Sequence, residues 1–175
     1  YTTISSLPMA HSAGKALGVF HRALLDFAYD YRSQRRHGGD YSFHQENLLT
    51  ALKTHTAHDY FGRIAPLAQE MLMNMGQLTH GFSTTPRHAH GDPKISNLLF
   101  DNNHQAICLV DFDTLGKTGW SLEVADALRS WCNPYPEDVL DAHVDLSTAE
   151  QTLAGYGLIM RGLFSAQECD ELIVH

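Results

Sequence analysis

The feature that most restricts the fold is a pair of short apolar runs, Leu98-Leu99-Phe100 and Ala106 to Val110, separated by Asp101-Asn102-Asn103-His104-Gln105. Each run is too short for a helix, and the residues between them are turn formers, so the stretch reads as strand, turn, strand. A turn centred near Asn103 sets Asn97 beside Leu109 and close to Asp111. The segments flanking the hairpin, His90 to Asn97 before it and Val110 to Asp113 after it, then open on the same side.

Helical texture surrounds this hairpin. Ala13, Leu17, Phe20, Leu24, Phe27 and Tyr31 recur at alternating steps of four and three, which predicts one helix from Met9 to Tyr31, with Ser5, Ser6 and Pro8 as its start signal. Arg32 to Asp40 is polar, ends in Gly-Gly and reads as a solvated loop. A second helix is expected over His44 to His58. A third spans Tyr60 to Leu78, where Ile64, Leu67, Met71 and Met75 form a stripe suited to core packing. Gly81 to Pro86 ends it. Beyond the hairpin a Gly-containing loop follows Thr114, and Ser121 is the expected N-cap of a helix through Trp131. Asn133-Pro134-Tyr135-Pro136 is a stop. Helices over Ser147 to Met160 and from Ser165 to the C-terminus complete the chain. The fold class is therefore α+β, mainly α, with a small central hairpin.

The 175 residues suffice for one domain with a core, with no repeat or linker dividing them. A formal charge of −8, with four lysines and eight arginines, argues against nucleic acid as a partner, because phosphate contacts need a basic face. Cys108, Cys132 and Cys169 are odd in number and lack C-x-x-C spacing, so a disulfide scaffold and a zinc ribbon are unsuited and a reducing, cytoplasmic setting is expected. No apolar run approaches the ~18 residues of a membrane span, and no signal peptide is visible.

The polar chemistry lies between His88 and Asp126. Asp92, Lys94, Asn97, Asp111 and Asp113 are gathered by the hairpin at its open end. Three carboxylates, one amide oxygen and one ammonium suit a hard cation such as Mg²⁺, which takes oxygen ligands and shares them with phosphates. A carboxylate left off the metal is a candidate base.

These residues also carry a resemblance. His90-Gly91-Asp92-Pro93-Lys94-Ile95-Ser96-Asn97 resembles the catalytic loop H-x-D-x-K-x-x-N of protein-kinase-like enzymes. The Gly after His and the later Asp111-Phe112-Asp113 look more like the small-molecule branch, which includes aminoglycoside phosphotransferases and choline kinases. Lys94 to Asp101, Val110 to Thr114 and Val124 to Arg129 are most similar in pattern to N-acetylhexosamine 1-kinases. The resemblance implies a protein-kinase-like C-terminal lobe over residues 1–175, with the hairpin carrying the catalytic and metal loops. It implies ATP and Mg²⁺ as the agents of transfer to a hydroxyl of a small polar substrate, a sugar or amino sugar leading. Asp92 then accepts or orients the substrate proton, and Lys94 neutralises charge on the phosphoryl group. Asn97 and Asp111 hold Mg²⁺ against the nucleotide. His90 resembles the His that braces the loop, and Asp126 the helix Asp that accepts its backbone hydrogen bonds.

Two further readings stay open: a non-catalytic module with kinase-like geometry, and a metal-dependent hydrolase built on His88, His90 and Asp92. Gly116-Lys117-Thr118 is no P-loop, since residue 111 is Asp where that motif requires Gly. The N-terminal nucleotide-clamping lobe of such kinases has no counterpart here. There is no G-x-G-x-x-G, and Lys15 and Lys53 fall in helical stretches. With Tyr1 as its first residue, the chain is expected to be the catalytic lobe cut from its partner lobe, with weak or absent turnover alone.

Overall fold

In the computed structural model, which describes residues 2–32, 41–78, 85–135, 139 and 143–174, six helices accompany two small antiparallel ladders. The described elements are mainly helical. The expected loop over 33–40, the helix break at 81–84 and Pro136 lie outside the described residues. No helix among those described is long and apolar enough to cross a membrane.

Helix α1 covers Leu7–Ala23, α2 Tyr41–Thr54 and α3 Phe61–Leu78. Strand β1 is Arg87–Ala89, β2 Leu98–Phe100, β3 Ala106–Leu109 and β4 Gly116–Thr118. Helix α4 is Trp120–Trp131, α5 Leu146–Met160 and α6 Ala166–Val174. Single turns of 3₁₀ helix occupy Ile95–Asn97 and Phe112–Thr114. The chain divides into two compact units, one of Tyr1–Gln34 with Thr84–His175 and one of Arg35–Ser83.

The first unit is built on the crossing of α1 and α5. Ser6 caps α1, its hydroxyl accepting from the Met9 N–H, and Pro8 occupies the first turn, where no intrahelical N–H is needed. A Cβ on Gly14 would stand 1.9 Å from the Thr152 carbonyl oxygen, and one on Gly155 would stand 2.0 Å from that of His11. Only hydrogen at both positions lets the two backbones approach so closely. Helix α1 ends at Ala23, not Tyr31, because the later aromatics find partners outside any helix. Phe27 meets the His88 ring edge-on at 4.9 Å, and Tyr31 Oη lies 2.7 Å from His88 Nδ1.

The hairpin lays one face on this core. Leu98 and Leu109 are paired and both buried, whereas Leu99 and Ile107 point to solvent. An irregularity between Leu99 and Phe100 shifts the register by one from the expected turn-centred pairing. Asn97 therefore lies against Val110 instead of Leu109, with the Val110 N–H donating to its carbonyl at 2.9 Å. The second ladder, β1 with β4, was not expected from sequence: Arg87, His88 and Ala89 oppose Thr118, Lys117 and Gly116. Helix α4 begins one residue before Ser121, with Gly119 as N-cap, and Ser121 is buried in the first turn. Asp145 caps α5 by accepting from the N–H groups of Ser147 and Thr148. Ser165 and Glu168 form a reciprocal capping pair at the start of α6.

The second unit contains α2 packed on α3. Here the expected core stripe fails. Ile64, Leu67 and Met71 are 53, 61 and 57% exposed, and only Ala68 is buried among the described side chains of α3. Periodicity identifies the apolar face of a helix but not whether anything covers it.

Candidate active site

Two loops lie side by side because two ladders hold their ends. One loop, 90–97, runs from β1 to β2, and the other, 110–115, runs from β3 to β4; β1 pairs with β4 and β2 with β3. Cross-links close the frame. His90 Nε2–H donates to the Val110 carbonyl at 2.9 Å, and the Thr114 hydroxyl donates to the His90 carbonyl at 2.9 Å. Gly91 sits at φ +84°, and a Cβ there would fall 2.4 Å from the Thr114 carbonyl oxygen, so this turn requires glycine on both counts.

Helix α4 holds the first loop by its backbone. Trp120 Nε1–H donates to the His88 carbonyl at 3.0 Å, and Trp131 Nε1–H to the Pro93 carbonyl at 2.7 Å. The Ile95 N–H donates to the Ser130 hydroxyl at 3.2 Å. The Glu123 carboxylate accepts from the N–H groups of His90 at 2.7 Å and Gly91 at 2.8 Å, and from His21 at 2.9 Å. Burial alone would raise the Glu123 carboxyl; the hydrogen bond from His21 and those from Gly91 and His90 hold it below its ordinary value. Indole, hydroxyl and carboxylate partners thus satisfy backbone groups that a buried turn cannot leave unpaired.

Three expected site residues meet directly. Lys94 Nζ lies 2.7 Å from Asp92 Oδ2, and Asn97 Nδ2–H donates to the Asp92 carbonyl at 3.0 Å and to its Oδ2 at 3.4 Å. The Lys94 ammonium is pushed above its usual range, first by the hydrogen bond and charge of Asp92, then by Asp111 and Asp113. Asp111 is exposed and left-handed, at φ 69° and ψ 62°, a conformation a non-glycine residue adopts at some cost. Asp113 is exposed in the following 3₁₀ turn. With its amide nitrogen engaged, Asn97 Oδ1 has no protein partner among the described residues. It and the Asp111 carboxylate are hard oxygen donors of the kind Mg²⁺ accepts.

The expected role of Asp126 is corrected. Asp126 is partly exposed and pairs with Arg129 at 3.0 Å; Glu123, one turn earlier on α4, accepts the loop's N–H groups. Two carboxylates three residues apart share a helix face, and spacing alone cannot select between them. His88 and His90 have ring nitrogens engaged by Tyr31 and Val110 respectively. Among the described residues no three of His, Cys, Asp and Glu form a metal-holding group.

The sequence profile of the Phosphotransferase enzyme family (APH) matches residues 5–157. No curated protein matches the chain.

Proposed function

The chain belongs to the phosphotransferase enzyme family, and on that premise we propose that it carries the catalytic half of an ATP- and Mg²⁺-dependent kinase acting on a hydroxyl of a small polar molecule. A sugar or amino sugar is the leading acceptor, because the sequence pattern around the loop resembles that of N-acetylhexosamine 1-kinases. The observation that supports this reading most is the Asp92–Lys94–Asn97 contact set, borne on a loop whose backbone is held by α4.

Asp92 orients the attacking hydroxyl and takes its proton. Lys94, already paired with Asp92, balances negative charge that develops on the transferred phosphoryl group. Asn97 and Asp111 would hold Mg²⁺, which would supply charge neutralisation for phosphoryl transfer. Transfer through a loose transition state needs little covalent help from protein, so placement and charge compensation account for most of the rate. In this reading, a Gly-rich strand pair and its lysine come from chain outside these residues, and the 175 residues alone turn over weakly or not at all.

The test is phosphoryl transfer from ATP to a panel of sugars, amino sugars, choline and aminoglycosides by the whole protein. Asp92→Asn is expected to lower kcat by about 10²–10⁴, the usual contribution of a positioned base, at an unchanged melting temperature. Retained turnover removes Asp92 as the base. Full turnover by the isolated 175 residues removes the divided ATP site.

A further inference from the structure

Beyond Glu123, the buried polar chain continues into the crossing of α1 and α5. His21 Nε2 lies 2.9 Å from Glu123 Oε1, and His21 Nδ1 lies 2.7 Å from Tyr156 Oη. His21 and Glu123 side chains are fully buried, and Tyr156 is 3% exposed. The His21 ring stacks on Trp120 at 4.9 Å with the planes 6° apart, so its two nitrogens are aimed edgewise at these partners. We propose that His21 and Tyr156 are positioning residues for the 90–92 loop, acting through Glu123.

Hydrogen-bond chemistry orders the chain. Glu123, ionised, can only accept, so a proton stands on His21 Nε2. In the neutral ring that makes Nδ1 an acceptor, and the Tyr156 hydroxyl donates to it. Burial raises the Tyr156 hydroxyl well above its usual range, which keeps that proton available. Each member is thereby satisfied in one arrangement: Tyr156 donates to His21, and His21 donates to Glu123. The carboxylate then has three N–H donors, two from the loop and one from α1. The two loop N–H groups grip one oxygen each, and the His21 donor, sharing Oε1 with His90, ties that carboxylate to α1. The α1–α5 crossing, rigid because Gly14 and Gly155 allow backbone contact, thus determines where Gly91 sits, and Asp92 is the next residue.

This inference rests on the kinase reading for its catalytic consequence but not for its structural one, and the test separates them. Nitrogen-15 NMR of the 175-residue chain is expected to show a proton on His21 Nε2. A ring protonated on Nδ1 alone overturns the proposal. Removing the donor by His21→Phe is expected to move the Gly91 and His90 amide proton signals upfield, while His21→Gln, which keeps an N–H toward Glu123, restores them. Should His21→Phe not fold, Tyr156→Phe replaces it, with a smaller upfield shift expected at the same two amides. Unmoved amides in a folded variant overturn the proposal. In the whole protein, His21→Phe is expected to lower kcat about tenfold with the acceptor KM unchanged, within the range that an ångström of misplacement costs. His21→Gln is expected to recover most of that loss. A loss of activity that follows the melting temperature equally in both variants overturns the positioning role. Shifted amides in a protein that phosphorylates no acceptor uphold the loop-positioning role and remove the kinase reading.

Discussion

Helices α1 and α3 are similar in length and carry apolar stripes of the same period, yet they end in opposite surroundings. Helix α1 buries Met9, Ala13, Leu17 and His21 against α5 and the hairpin, whereas α3 leaves Ile64, Leu67 and Met71 exposed. The difference lies less in hydrophobicity than in small residues. Gly14 and Gly18 give α1 a face on which another helix can lie backbone to backbone, and buried polar groups at Ser12 and His21 then find partners in the hairpin and α4. Helix α3 presents long, flexible methionines along its stripe, and its one described buried residue is Ala68. An apolar stripe supplies the driving force for burial; complementary shape and partnered polar atoms decide what is buried.

This contrast can be tested by substitution. The largest effect is expected from Gly14→Ala, whose Cβ would collide with the Thr152 carbonyl: the unit should lose at least ~3 kcal/mol or fail to fold. Chemical denaturation measures it, and near-wild-type stability would show that the crossing is looser than described. Next, Leu17→Ala on α1, where the side chain is 1% exposed, should cost about 2–5 kcal/mol. The equivalent change on α3, Leu67→Ala, should stay within about 0.5 kcal/mol. A cost above about 2 kcal/mol at Leu67 would mean that the α3 stripe is covered after all.

Acid sensitivity sharpens the comparison further. Glu123 and Glu168 both titrate below their ordinary value of 4.5 in the folded chain. In Glu123, burial is overcome by donors from His21 and the loop; in Glu168 the leading cause is the hydrogen bond from Arg87. The unfolded chain binds those protons more readily, so the stability they contribute is complete above the unfolded value and is lost as pH falls through the lower folded ones. Fluorescence of the buried Trp120 and Trp131 should therefore report a steep loss of stability below about pH 4.5. Glu168→Gln should flatten that limb, and Leu67→Ala should leave it unchanged. An acid limb indifferent to Glu168 would place the sensitive groups elsewhere.

Much of the fold was legible because local rules governed it. The strands at Leu98–Phe100 and Ala106–Leu109 lie where short apolar runs and a polar turn predict them, and Ser6 and Ser165 begin helices as hydroxyl caps do. Asp92, Lys94 and Asn97 were recognisable from their spacing and meet in the structure, whereas no hydrogen bond or ion pair joins Asp111 or Asp113 to them among the described residues. Other features depended on partners distant in sequence. The β1–β4 ladder joins residues near 88 and 117, for neither of which the local pattern predicts a strand. Glu123 became the loop's acceptor instead of Asp126 because rotation of α4 about its axis, set by the buried Trp120 and Trp131, points one carboxylate inward and the other toward Arg129.

The sequence by itself determined the central hairpin, the position of most helices, and which side chains can manage charge and protons, since these follow from backbone sterics and functional groups. Tertiary structure alone decided which of several equivalent groups is used. His21 became a donor to Glu123, Asp126 a surface acid and Leu67 an exposed residue, because burial and hydrogen-bond partnership arise only when separate segments pack together.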